Sequence, residues 1–182
     1  MNKKTYQRVA LSWLAAGMLG AGSAGATPAD DTVLAEKEFA RGDLVASIAL
    51  WRKAAEQNYA AAQVRLGDVM DKSEEDEEAV KWYGKAAAQG NAAGQYGLGQ
   101  MYAKGEGVKT DLTRACALIM QAARQDYPRA ALTLMESYRT GRLGLAPDPV
   151  QAAFWEAKVK LLIPAYKPDL PKPKPNPKGK AT

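Results

Sequence analysis

The sequence contains no histidine, a single cysteine and only two phenylalanines among 182 residues. Each shortage excludes something. Without histidine there is no Ser-His-Asp or Cys-His nucleophile pair and no histidine-ligated metal. One cysteine builds neither an intramolecular disulfide nor a thiolate zinc site. Cys116 lies in Ala115-Cys116-Ala117-Leu118, an apolar helical stripe, and reads as a buried, inert thiol. Stability must therefore come from packing alone. No G-x-x-x-x-G-K-[ST] loop occurs, and Gly97-x-Gly99 falls within a helical pattern rather than after a strand. No window alternates as a strand does. Catalytic residues, cofactors and metals are all expected to be absent.

Only one hydrophobic run is long, and it lies at the N-terminus. Lys3, Lys4 and Arg8 precede an apolar stretch from Val9 to Leu19, and Ala24-Gly25-Ala26 supplies the small residues a signal peptidase requires. Glycines at 17, 20, 22 and 25 weaken the run as a membrane span. Residues 1–26 thus read as a secretory signal peptide, and a periplasmic or secreted location with no membrane insertion after cleavage is the expectation. The net charge of +5 belongs to the ends: residues 27–163 hold 17 basic and 19 acidic side chains. A body so balanced carries no electrostatic footprint for nucleic acid.

What is abundant is a spacing. Ala62-x3-Leu66-Gly67-x2-Met70, Gly94-x3-Leu98-Gly99-x2-Tyr102 and Ala130-x3-Leu134-x3-Tyr138 place their leucines 32 and 36 residues apart. Ala79, Ala115 and Ala152 follow at intervals of 36 and 37, and Phe39 to Ala55 forms an earlier unit. A small residue four positions before a large one sets both on one helical face and leaves room for a neighbouring helix. Helices are expected near 30–41, 44–57, 60–71, 75–89, 92–104, 111–125, 129–140 and 148–163. Asp111 and Asp148 should cap helix starts, and Gly42 and Gly90 should turn through positive φ. Hairpins this short cannot bury their apolar faces alone and must stack. Trp51, Trp82 and Trp155 share one repeat position, and Tyr102 and Tyr138 another, which marks them as packing positions rather than a binding cage. The acidic run Glu74–Glu78 lacks the oxygen spacing of a calcium loop and reads as a helix start capped by Ser73.

The series Leu98-Gly99-x2-Tyr102-x2-Gly105-x-Gly107-Val108-x2-Asp111-x3-Ala115-x6-Ala122-Ala123 resembles the Sel1-like repeat family, over about residues 60–163, with a more TPR-like unit before it. The second unit lacks the Gly-x-Gly-Val loop, and the last has Met135 where the family has glycine and a longer loop, Gly141–Pro147. The resemblance implies an all-α fold, a right-handed α-solenoid of about four helix-turn-helix repeats over 27–163, whose first helices line a concave face. Candidate partner-binding positions on those helices are Gln63, Arg65, Asp68, Gln95, Tyr96, Gln100, Thr133 and Glu136. It also implies a non-catalytic periplasmic scaffold for a protein partner. Alternatives from the same family are an immunity protein against a type VI secretion lipase toxin and a secreted host-interacting factor. Residues 164–182, with six prolines and five lysines, should be extended and unable to bury an apolar face. A weak contact of this basic segment with an anionic envelope surface is a further expectation.

Overall fold

The computed structural model describes residues 26–167. The expected signal peptide, apart from Ala26, and the Pro/Lys-rich segment beyond Lys167 lie outside the described residues. Within them the fold is all-helical. Eight helices follow one another: α1 Pro28–Arg41, α2 Leu44–Glu56, α3 Ala60–Lys72, α4 Asp76–Ala88, α5 Ala92–Lys104, α6 Leu112–Arg124, α7 Pro128–Thr140 and α8 Pro149–Leu162.

The sequence explains where these helices start and stop. Asp111 accepts from the Arg114 amide and Asp148 from the amides of Val150 and Gln151, so each carboxylate satisfies donors that the first turn leaves unpaired. Thr27 and Asp30 form a reciprocal capping box ahead of α1. Every turn between helices within a hairpin passes through a left-handed residue: Gly42, Glu74, Gly105 and Gly141. Asn58, Gly90 and Asp126 play the same part between hairpins. One helix start departs from expectation. Ser73 does not cap α4; it closes α3, is buried, and leaves its hydroxyl without a partner, while the first turn of α4 carries Asp76, Glu77 and Glu78 against the helix dipole.

Packing follows the repeat. Ala35, Ala54, Ala62, Ala79, Ala115, Ala122 and Ala130 are wholly buried and let helix axes approach, while Leu66, Ile119 and Leu134 fill the space between them. Burying each such leucine removes apolar surface worth about 1.5–3 kcal/mol. Trp51, Trp82 and Trp155 are 2%, 8% and 5% exposed, which makes them structural. The core forms two clusters. One runs from α1 into Met101 of α5; the other joins α6, α7 and α8 and takes in Ile163 and Tyr166 beyond the last helix. Besides sequential neighbours, first helices also touch one another, α3 on α5 and more lightly α1 on α3, and no second helices among the described residues do so to the same extent. The stack therefore bends toward its first helices, and these line the concave side. Cys116 is half-buried rather than fully enclosed, and burial pushes its thiol pKa up, away from the reactive thiolate.

Candidate functional site

The concave side holds two adjoining grooves. The first has a volume of about 700 Å³ and runs across α3, α5 and the start of α7. The second, of about 920 Å³, runs across α5 and α7 and is closed at its far end by the Gly141–Gly144 turn and Tyr166. Tyr96, Gln100 and Lys104 of α5 line both, so the two form one continuous channel.

The candidate positions divide cleanly. Arg65, Asp68, Tyr96 and Gln100 line the first groove, and Tyr96, Gln100, Thr133 and Glu136 the second. Asp68, Gln100 and Glu136 occupy equivalent turns of α3, α5 and α7, which is why spacing alone located them. Gln63 and Gln95 do not belong to the groove. They are 1% and 7% exposed, and their amides are spent inside the framework. Gln89 Nε2 donates to Gln63 Oε1 at 2.7 Å, and Gln125 Nε2 donates to Gln95 Oε1 at 2.8 Å. Each pair ties the first helix of a hairpin to the end of its second. The signal was present in the sequence: both partners recur one repeat apart, and a polar residue that recurs with the framework serves the framework.

The first groove is built around Tyr83, which reaches it from α4. Its ring lies between Gly67 of α3 and Gly97 of α5; a Cβ on either would sit 2.6 Å from ring carbons. Glycine is required at both because side-chain volume there would displace a buried aromatic. The Tyr83 hydroxyl donates to Asp68 Oδ1 at 2.8 Å, and burial together with the Asp68 carboxylate drives the phenol pKa far above its usual range. Arg65 donates to Glu36 through Nε at 2.6 Å and Nη2 at 3.0 Å, a two-pronged pair that fixes α3 to α1. Asp71 is partly buried, and desolvation raises its carboxyl pKa; Lys104 opposes this, while Glu106, Asp76 and Asp68 add to it. Tyr96 packs against Tyr127 with ring centroids 5.4 Å apart, and its hydroxyl lies 3.4 Å from Thr133 Oγ1.

The second groove has a different floor. Leu112, Leu132 and Leu143 supply apolar surface, and Met135, whose sulfur accepts from the Tyr166 hydroxyl at 3.6 Å, forms the base. Lys104, Arg139, Arg142 and Lys167 surround it, against the single carboxylate of Glu136. Composition and spacing gave no access to Arg142 or Leu143, because they sit in the loop where the last unit departs from the repeat, and Arg139, on α7, was not among the candidate positions.

No group of three or more acidic or cysteine side chains is placed to hold a metal among the described residues, and no described helix is long and apolar enough to cross a membrane. The arrangement offers hydrogen-bonding amides, hydroxyls, aromatic faces and fixed charges along a channel.

The Sel1 repeat model matches residues 39–59, 60–91, 92–127 and 131–155. A Sel1 repeat protein from Oxalobacter formigenes is similar in structure, with a TM-score of 0.66 and 28% identity, over 76% of this chain and 42% of that one. A protective antigen of uropathogenic Escherichia coli with an SLR fold superposes with a TM-score of 0.67 at 35% identity, over 73% of this chain and 30% of that chain. An uncharacterized protein of Neisseria meningitidis serogroup B is 37% identical over 123 residues, 66% of this chain. The chain spans 26% of that relative's length and 10% of another curated relative's.

Proposed function

The chain belongs to the Sel1 repeat family, whose members generally mediate protein–protein interaction without catalysis, and on that premise we propose a scaffold of the bacterial envelope that holds a protein partner in its concave channel. One observation carries the reading. Six of the eight candidate positions on the first helices line the channel, and Tyr96 and Gln100 line both of its halves. Repeat architecture explains why: each hairpin contributes one helix to a rigid wall, so the side chains on that wall differ without disturbing the core. The signal-like N-terminal sequence supports an envelope location, and the absence of histidine and of clustered nucleophiles supports binding without turnover.

The test is a paired substitution that fills the channel without touching the core. Gln100→Trp with Thr133→Trp should abolish capture of a partner from envelope extract while the helical circular dichroism spectrum and melting temperature stay unchanged. Undiminished capture would move the binding site off the concave face.

A second reading, a factor exposed to a host, is favoured by the likeness to the E. coli protective antigen. Fractionation separates the two: the scaffold resides in the periplasmic fraction, the exposed factor in the medium or on the cell surface.

A further inference from the structure

The two halves of the channel differ in chemistry, and that difference identifies what the C-terminal half takes. We propose that it binds an acidic segment of the partner protein in which carboxylates flank one or two apolar side chains. This rests on the reading of the channel as a partner-binding surface and specifies the ligand.

Charge carries the argument. Lys104, Arg139, Arg142 and Lys167 line this half, and Glu136 is its one carboxylate among the described residues. Lys104 pairs with Glu106 at 3.0 Å and Arg139 with Glu136 at 3.6 Å, but Arg142 and Lys167 have no carboxylate within ion-pair distance among the described residues. Next door, Arg129 lines the first half and is likewise unmatched. The body as a whole is slightly acidic, so this excess is local. Between the cations lies apolar surface too small for a core and open to solvent: Leu112 is 40% exposed, and Leu132 and Leu143 stand beside it. Leu143 is held at φ 56°, a conformation that costs a bulky residue energy and that glycine would adopt freely. It stands in the loop Gly141–Pro147, which is longer than the corresponding loop of the preceding unit. The strained leucine is partly buried against the core cluster that contains Met135 and reaches the groove.

Other occupants fit less well. The chain continues from Lys167 with Lys172, Lys174, Lys178 and Lys180 against Asp169 alone, so its own C-terminal segment carries the same sign of charge as the groove. Those lysines instead add to the field that draws in an acidic partner.

The test uses the full chain after removal of residues 1–26 and a fluorescein-labelled, glutamate-rich peptide carrying two leucines, read by anisotropy. A matched peptide with lysine in place of every glutamate is the comparison. The acidic peptide should bind, weaken at least tenfold in the variant Arg139→Glu with Arg142→Glu, and weaken severalfold in Leu132→Ser. Lys109→Glu with Arg124→Glu, an equal charge change on exposed residues outside the channel, should alter affinity less than twofold. Equal losses in both double variants, or equal affinity for the lysine peptide, would overturn the proposal. So would tighter binding of the chain to phosphatidylglycerol vesicles with the same dependence on Arg139 and Arg142, or self-association that the same variants abolish. If the peptide fails yet Gln100→Trp with Thr133→Trp still abolishes partner capture, the channel is the binding surface and only the ligand chemistry is wrong. If neither responds, the channel reading itself falls.

Discussion

The two halves of the concave channel share one frame and differ in what fills it. Most of the N-terminal half is bounded by groups satisfied within the fold, Arg129 apart: Tyr83 is wedged between two glycines and bonded to Asp68, and Arg65 is bound to Glu36. The C-terminal half presents Arg142 and Lys167 without an ion-pair partner among the described residues, and Leu112, Leu132 and Leu143 only partly covered. In the first, Leu66-Gly67 and Leu98-Gly99 keep the repeat pattern, and Asp68 and Arg65 are answered from within the fold. In the second, Met135 replaces a glycine and the loop Gly141–Pro147 is lengthened. The contrast teaches that regular repeats build the wall, and that departures from regularity leave groups available to a ligand.

The strongest way to break the comparison is to ask whether both halves rest on equal cores. Leu66 and Leu134 are fully buried at equivalent positions, one in each cluster. Leu66→Ala and Leu134→Ala should each cost roughly 2–5 kcal/mol and lower Tm by about 10 °C. A loss confined to one of them would mean that the two halves melt independently. Next comes the glycine wedge. Gly97→Ala should cost about 1–3 kcal/mol through overpacking of Tyr83, and the double change Gly97→Ala with Tyr83→Leu should recover part of it. Tyr83→Phe keeps the ring and removes its bond to Asp68, for a loss of about 1 kcal/mol by chemical denaturation. The smallest effect concerns Asp71. Its carboxyl pKa is raised in the folded state above 3.8, so its contribution favours folding at acid pH and is lost as pH rises through the folded value. Asp71→Asn should therefore match or exceed the parent in Tm at pH 7, and lose that advantage near pH 3.5.

Much of this molecule was legible in its sequence because the same physical problem is solved four times. Several helix boundaries are set by a local device, such as Asp111, Asp148, Gly42 or Gly90, that needs no knowledge of distant contacts. The buried tryptophans followed from their recurrence. Positions that depend on long-range geometry were read less well. Gln63 and Gln95 lie on first helices, as expected, but their partners Gln89 and Gln125 come from the ends of second helices and turn them inward. Ser73 precedes an acidic helix start yet closes the helix before it, because Glu74 takes the left-handed turn between them. Tyr83 was missed because it belongs to a second helix and reaches the channel only through the gap that Gly67 and Gly97 leave.

The central claim is that the partner lies along the first helices. Site-specific photocrosslinking in living cells tests it most directly, with the crosslinker placed in turn at Gln100, at Thr133 and at Gln121 on the exposed side of α6. The account predicts one crosslinked partner from Gln100 and Thr133 and none from Gln121. The same partner captured from Gln121 alone would contradict it.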